Sequence, residues 1–125
     1  MTPRERRYAV GAVTRERLEP PPFSLDVGSD GDGRTTLTVA GELDIASADA
    51  FTSAVAERLA TGAVLLDLRQ LTFMDSTGVR ALNTALRVAS EHGHDLRVAA
   101  GMQPSVAQIL ELTGMIGLLS LEERP

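Results

Sequence analysis

Hydrophobic and polar positions along the chain change period several times. Phe23, Leu25 and Val27 alternate with Ser24 and Asp26, and Leu37, Val39, Gly41 and Leu43 alternate with Thr36 and Thr38. A period of two is that of half-buried strands, because successive side chains point to opposite faces. Strands are therefore predicted over 23–27 and 35–43, paired antiparallel through the Gly28–Gly33 turn. Phe51, Val55 and Leu59 recur every four residues, the spacing of one helix face; that helix begins over Asp44–Ser47 and stops at Thr61-Gly62. The aliphatic run Val64-Leu65-Leu66-Asp67-Leu68 is too short for a helix and reads as a buried strand over 63–68. Apolar residues at 79, 82, 86 and 89 then mark a helix over 77–90, ended by Glu91-His92-Gly93-His94.

The remainder repeats the scheme. Residues 95–100 read as a strand, and Pro104, suited to a first helical turn, opens a helix with Val106, Ile109, Leu110 and Thr113 inward. Residues 117–121 read as a last short strand. Two strands followed by strand–helix alternation predict an α/β domain: an N-terminal β-hairpin, then a mixed, mostly parallel sheet with packed helices. Met1–Pro22 has no sustained period and ends in three prolines. It reads as a flexible tail, dispensable for the fold, and 23–125 as one domain.

Composition narrows the function more than the fold. At 125 residues, 43% of them hydrophobic, the chain is long enough for one core. No apolar run approaches the ~20 residues of a membrane span, and 1–22 lacks the apolar segment of a signal peptide. Cysteine is absent, which excludes disulfides and thiolate metal sites. A cytoplasmic location without membrane contact is expected. All twelve positive residues are arginine. Five of them stand in 1–22 against three Glu, which leaves seven against fourteen acidic residues in 23–125. So acidic a domain has no electrostatic reason to bind nucleic acid and suits a basic protein surface.

The candidate chemistry sits at Asp75-Ser76. The predicted strand-to-helix junction places Ser76 where a hydroxyl caps a helix, beside N–H groups without intrahelical partners. A helix N-terminus also favours negative charge, so a phosphate carried there would not disturb the fold. Thr77, with a hydroxyl at the same helix start, is the competing acceptor. Asp75 reads equally as a capping carboxylate and as a group that orients Ser76 or meets a kinase.

The string Leu71-Thr72-Phe73-Met74-Asp75-Ser76-Thr77-Gly78-Val79-Arg80-Ala81-Leu82 resembles the signature of the STAS domain family, in particular the anti-sigma factor antagonists of bacteria. Val39-Ala40-Gly41-Glu42-Leu43-Asp44 resembles the family's first block and Val106–Gly114 its third, so the resemblance covers about 23–121. It implies a STAS-like fold and a phosphorylation-switched binding module with no cofactor. The unphosphorylated form would bind an anti-sigma factor that is also a serine kinase and so release its sigma factor. Phosphorylation of Ser76 would switch it off, and a metal-dependent serine phosphatase would restore it. Asp44, Met74, Asp75, Ser76, Thr77 and Gly78 are the expected partner-binding positions. At Asp44 an N-cap is the favoured reading; Phe73 is assigned to the core and Met74 to an exposed contact. The chain departs from the resemblance after residue 121, where Glu122–Pro125 is too short for the further helix such domains commonly carry. A different use of the same module is the alternative: a scaffold or sensor subunit of a larger signalling assembly that binds a nucleotide or other small ligand.

Enzymatic readings fare worse. Ser76, Asp75 and His92 or His94 supply the residue types of a hydrolytic triad, but Met74 stands where a nucleophile elbow needs a small residue. The histidines lie at the other end of a helix that begins at Ser76, ~20 Å away at 1.5 Å per residue. They decorate a helix terminus and are too few for zinc. The Asp/Gly turn over 28–33 lacks the twelfth-position glutamate of a calcium loop.

Overall fold

The computed structural model describes residues 22–29, 31 and 33–124. Among the described residues the elements are β1 (Phe23–Ser29), β2 (Thr35–Leu43), α1 (Ala48–Leu59), β3 (Val64–Met74), α2 (Ser76–His92), β4 (Leu96–Ala99), α3 (Pro104–Leu112), a 3-10 turn (Met115–Leu118) and β5 (Leu121–Glu122). The tail expected over 1–22 lies outside the described residues except for Pro22, as do Asp30 and Asp32 of the hairpin turn. The last strand is shorter and later than expected. Residues 115–118 form the 3-10 turn instead, entered through Gly114 in the left-handed region (φ 77°).

The five strands stand in sequence order, β1-β2-β3-β4-β5. β1 pairs antiparallel with β2, and the other three junctions are parallel. Each parallel pair is joined by one helix, and sequential order carries every connection the same way across the sheet. Right-handed crossovers then place α1, α2 and α3 on one face. The packing agrees: Phe51, Val55 and Leu59 of α1, Ala81, Leu82, Ala85 and Ala89 of α2, and Val106 and Leu110 of α3 share one buried cluster with Leu37, Val39, Leu66, Leu68 and Val98. The period selected the α1 positions as they stand; on α2 the buried face is turned toward Ala81 and Ala85, leaving Val79 and Leu86 at its margin, and on α3 Ile109 is half-buried and Thr113 exposed. Each large side chain so buried contributes about 1.5–3 kcal/mol against exposure.

β3 is nearly twice its predicted length, running on to Met74 beside the whole of β2. The register explains why pattern alone stopped at Leu68. β3 carries an extra residue relative to β2 between the pairs Thr38↔Asp67 and Ala40↔Gln70, and another between Gly41↔Leu71 and Glu42↔Phe73. Each bulge reverses which residues face the core. The buried series therefore runs Leu66, Leu68, Leu71, Met74 in place of a strict alternation.

Candidate functional site

The parallel strands β2 and β3 end side by side, with Leu43 opposite Met74. The chain leaves β2 into the turn 44–47 and leaves β3 directly into α2, so both exits meet at one edge of the sheet. The carboxyl edge of a parallel sheet is where open α/β domains commonly place their functional groups. Gly78 fixes how closely α2 approaches: a Cβ there would lie 2.6 Å from the Leu43 carbonyl oxygen and 2.7 Å from Met74 Cγ. Only a residue without a side chain fits.

The capping assignment is corrected by the structure. Asp75, not Ser76, is the N-cap of α2, with extended backbone (φ −113°, ψ −168°). Its Oδ1 accepts the N–H groups of Thr77 at 3.0 Å and Gly78 at 3.1 Å, and its carbonyl accepts the Val79 N–H. The carboxylate thus takes two of the donors that a helix start leaves over, and sits at the favourable end of the dipole. Ser76 is the first residue of the helix. Its hydroxyl is exposed and has no hydrogen-bond partner among the described residues. Thr77 is half-buried.

Across the edge, Asp44 does not cap α1. Ser47 stands at that N-cap, and its buried hydroxyl donates to the Glu42 carbonyl at 2.8 Å and accepts the Asp44 N–H at 3.0 Å. Asp44 Oδ1 accepts the Ala46 N–H at 3.0 Å. The acid therefore holds the turn, and α1 starts only at Ala48. The helix expected from Asp44 is a turn because both side chains bond back to local backbone, a competing arrangement open to Asp and Ser.

The structure brings Asp44, Asp75, Ser76, Thr77 and Gly78 to this edge, but it exchanges the roles of two neighbours. Met74 is buried in the core at 4% exposure, whereas Phe73, read as core, is 44% exposed. The second bulge of β3 is the cause, since it turns Phe73 outward beside Glu42. Ile45, 80% exposed between Asp44 and Ala46, is a large apolar group that pattern reading passed over. Its signal was an isoleucine belonging to neither the strand period before it nor the helix period after it.

His92 ends α2, and His94 Nδ1 is paired with the Leu59 carbonyl oxygen. Both stand at the opposite end of α2 from Ser76, so no triad forms. Among the described residues no three His, Asp or Glu side chains are grouped to hold a metal ion, and no helix is long and apolar enough to cross a membrane. What the edge offers is a reachable hydroxyl on a helix start capped by Asp75, with the exposed Ile45 in the neighbouring turn after β2.

Comparison with known proteins agrees with that architecture. An anti-sigma factor antagonist from Mycobacterium paratuberculosis superposes with a TM-score of 0.71 at 26% identity, over 83% of this chain and 89% of that one. The anti-sigma factor antagonist SpoIIAA in its unphosphorylated form gives a TM-score of 0.66 at 15% identity, over 82% of this chain and 89% of that one. The phosphorylated form of SpoIIAA, the Bacillus cell fate determinant, gives 0.62 at 14% identity, over 82% and 92%. The sequence model of the STAS domain matches residues 27–124, nearly all of the described chain. With the three sequence blocks, the sequential sheet and the β3–α2 junction in place, the chain belongs to the STAS domain family.

Proposed function

We propose that this protein is an anti-sigma factor antagonist switched by phosphorylation of Ser76. Its unphosphorylated form binds an anti-sigma factor that is also a serine kinase and so frees the sigma factor. The kinase transfers the γ-phosphoryl group of ATP to the Ser76 oxygen, releasing ADP and the hydroxyl proton, and a metal-dependent serine phosphatase reverses the modification. The observation that carries this reading is the division of labour at the start of α2: Asp75 caps the helix, which leaves the Ser76 hydroxyl exposed and uncommitted.

A phosphate on Ser76 brings about −1.5 to −2 charges to a surface that already carries Asp75 and Asp44. In the free protein it stands in water at the positive end of a helix, where it is tolerated. In a closed interface it meets desolvation and the repulsion of those carboxylates. A coupling of about 1–3 kcal/mol, some 5–150-fold in affinity, suffices for a switch and needs no change of fold.

Incubation with candidate anti-sigma serine kinases and ATP, followed by intact mass and peptide mapping, tests the assignment. One added phosphate on Ser76 is expected, and none on Ser76→Ala, which should still bind the kinase. A phosphate mapped to Thr77 or elsewhere would overturn the site. Equal affinity of the kinase for the plain and phosphorylated proteins would overturn the switch.

A further inference from the structure

Arg80 stands one turn after Ser76 on α2, and both residues are exposed. Residues four apart on a helix are surface neighbours, with Cβ atoms about 5–6 Å apart. Every Cα–Cβ bond of a helix leans toward its N-terminus, and the side-chain torsions a helix allows carry a long side chain back over the preceding turn. For Arg80 that preceding turn is the one that carries Ser76.

Arg80 is also uncommitted. Arg34, Arg69, Arg87 and Arg97 each hold a carboxylate, whereas Arg80 holds none among the described residues. Its neighbours three and four positions away are Ser76, Thr77, Asn83 and Thr84, none of them charged. Arg87, by contrast, has Glu91 at the same spacing. The charged groups of the segments that meet at the start of α2 are Glu42 near the end of β2, Asp44 in the turn after it, Asp49 in the first turn of α1 and Asp75 at the cap. All four are acidic, and Asp44 and Asp75 already accept backbone N–H groups. A lone cation therefore waits beside the hydroxyl.

We propose that Arg80 is the counter-ion of a phosphate on Ser76 and closes on it once the residue is modified. The inference rests on the reading of Ser76 as the phosphorylated position. The order of charges is the favourable one, with the anion N-terminal to the cation at a spacing of four. A guanidinium presents parallel N–H donors to two phosphate oxygens, a match that an uncharged serine hydroxyl does not offer. In the plain protein the arginine stands free on the surface; in the phosphorylated one it is taken up. The pair also favours the fully ionised phosphate, whose second proton is otherwise lost near pH 6.

Phosphoserine built in at position 76 during synthesis of the full chain tests the pairing apart from the question of which kinase modifies the residue. At low ionic strength its phosphorus resonance should titrate about half a pH unit lower in the parent than in Arg80→Gln. Glutamine is a good helix former, so α2 keeps its helix and its cap in that variant. Arg80→Lys should restore part of the difference, because an ammonium keeps the charge and loses the fork. Arg87→Gln, two turns further along, should titrate with the parent. All these variants retain Glu42, Asp44, Asp49 and Asp75, so the comparison reads Arg80 alone. Identical titration of the parent and Arg80→Gln overturns the counter-ion. So does a change in Arg87→Gln as large as that in Arg80→Gln, which would make the effect one of overall charge. A lower titration in the parent, together with no transfer to Ser76 by any kinase, upholds the pairing and overturns the switch.

Discussion

At the scale of single residues, three positions at the start of α2 have separate tasks. Asp75 satisfies the helix start, Ser76 is exposed, and Gly78 permits close approach of α2 to β2. Asp75→Ala should therefore cost about 0.5–2 kcal/mol, the usual range for a lost N-cap. Thermal unfolding should show it as a fall of several degrees. Ser76→Ala should melt with the parent, because the hydroxyl bonds to nothing among the described residues; a fall as large as that of Asp75→Ala would return the cap to Ser76. Gly78→Ala puts a methyl group into the Leu43 carbonyl and should cost about 1–3 kcal/mol through overpacking. An unchanged melting temperature for that variant would mean that α2 has room to move away from β2.

At the scale of elements, β3 decides most of what matters. Its two bulges carry the chain from the core run at Leu66 and Leu68 to the edge where α2 begins, and they set Phe73 out and Met74 in. Its middle also holds Asp67, whose carboxylate is bound by the Arg69 side chain at 2.9 Å through both Nε and Nη2 and by the Arg69 N–H at 3.1 Å. The Arg69 hydrogen bond holds the Asp67 carboxyl below its ordinary value of 3.8, against the opposing effect of burial. Glu122, bound by Arg34, is likewise held below 4.5. A depressed carboxylate favours the folded state above its unfolded value, and that stability is lost as pH falls through the folded one. Both groups therefore contribute fully at neutral pH and fade only in acid, from about pH 4 downward. Asp67→Asn should melt lower than the parent at neutral pH and converge on it as the solution is acidified. Parallel melting curves over that range would show that the Asp67 pair does not contribute to the acid limb.

At the scale of the molecule, the fold is a rigid carrier for an edge. The three helices, the sheet and the single core cluster hold the ends of β2 and β3 in register, and the switch proposed at Ser76 is local charge with no refolding behind it. The phosphorylated protein should therefore melt within a few degrees of the plain one and keep its amide spectrum except around residues 44–47 and 72–80. Shifts spread through the core would replace a surface-charge switch with a conformational one.

The division between sequence and tertiary structure follows from what each kind of information can hold. Local periodicity determined the hairpin, the core face of α1, and the strand-to-helix junction at residues 74–76, because side-chain period is a property of neighbours along the chain. Three blocks of motif determined the family resemblance. The length of β3 was not legible, since two bulges break its alternation and only the pairing with β2 shows that the strand continues. The exchange of Phe73 and Met74 follows from the same bulges. Asp75 rather than Ser76 as the cap was equally out of reach, because both are good capping residues and the choice rests on which backbone is extended. Ile45 gained its meaning only when the turn 44–47 was set beside the start of α2.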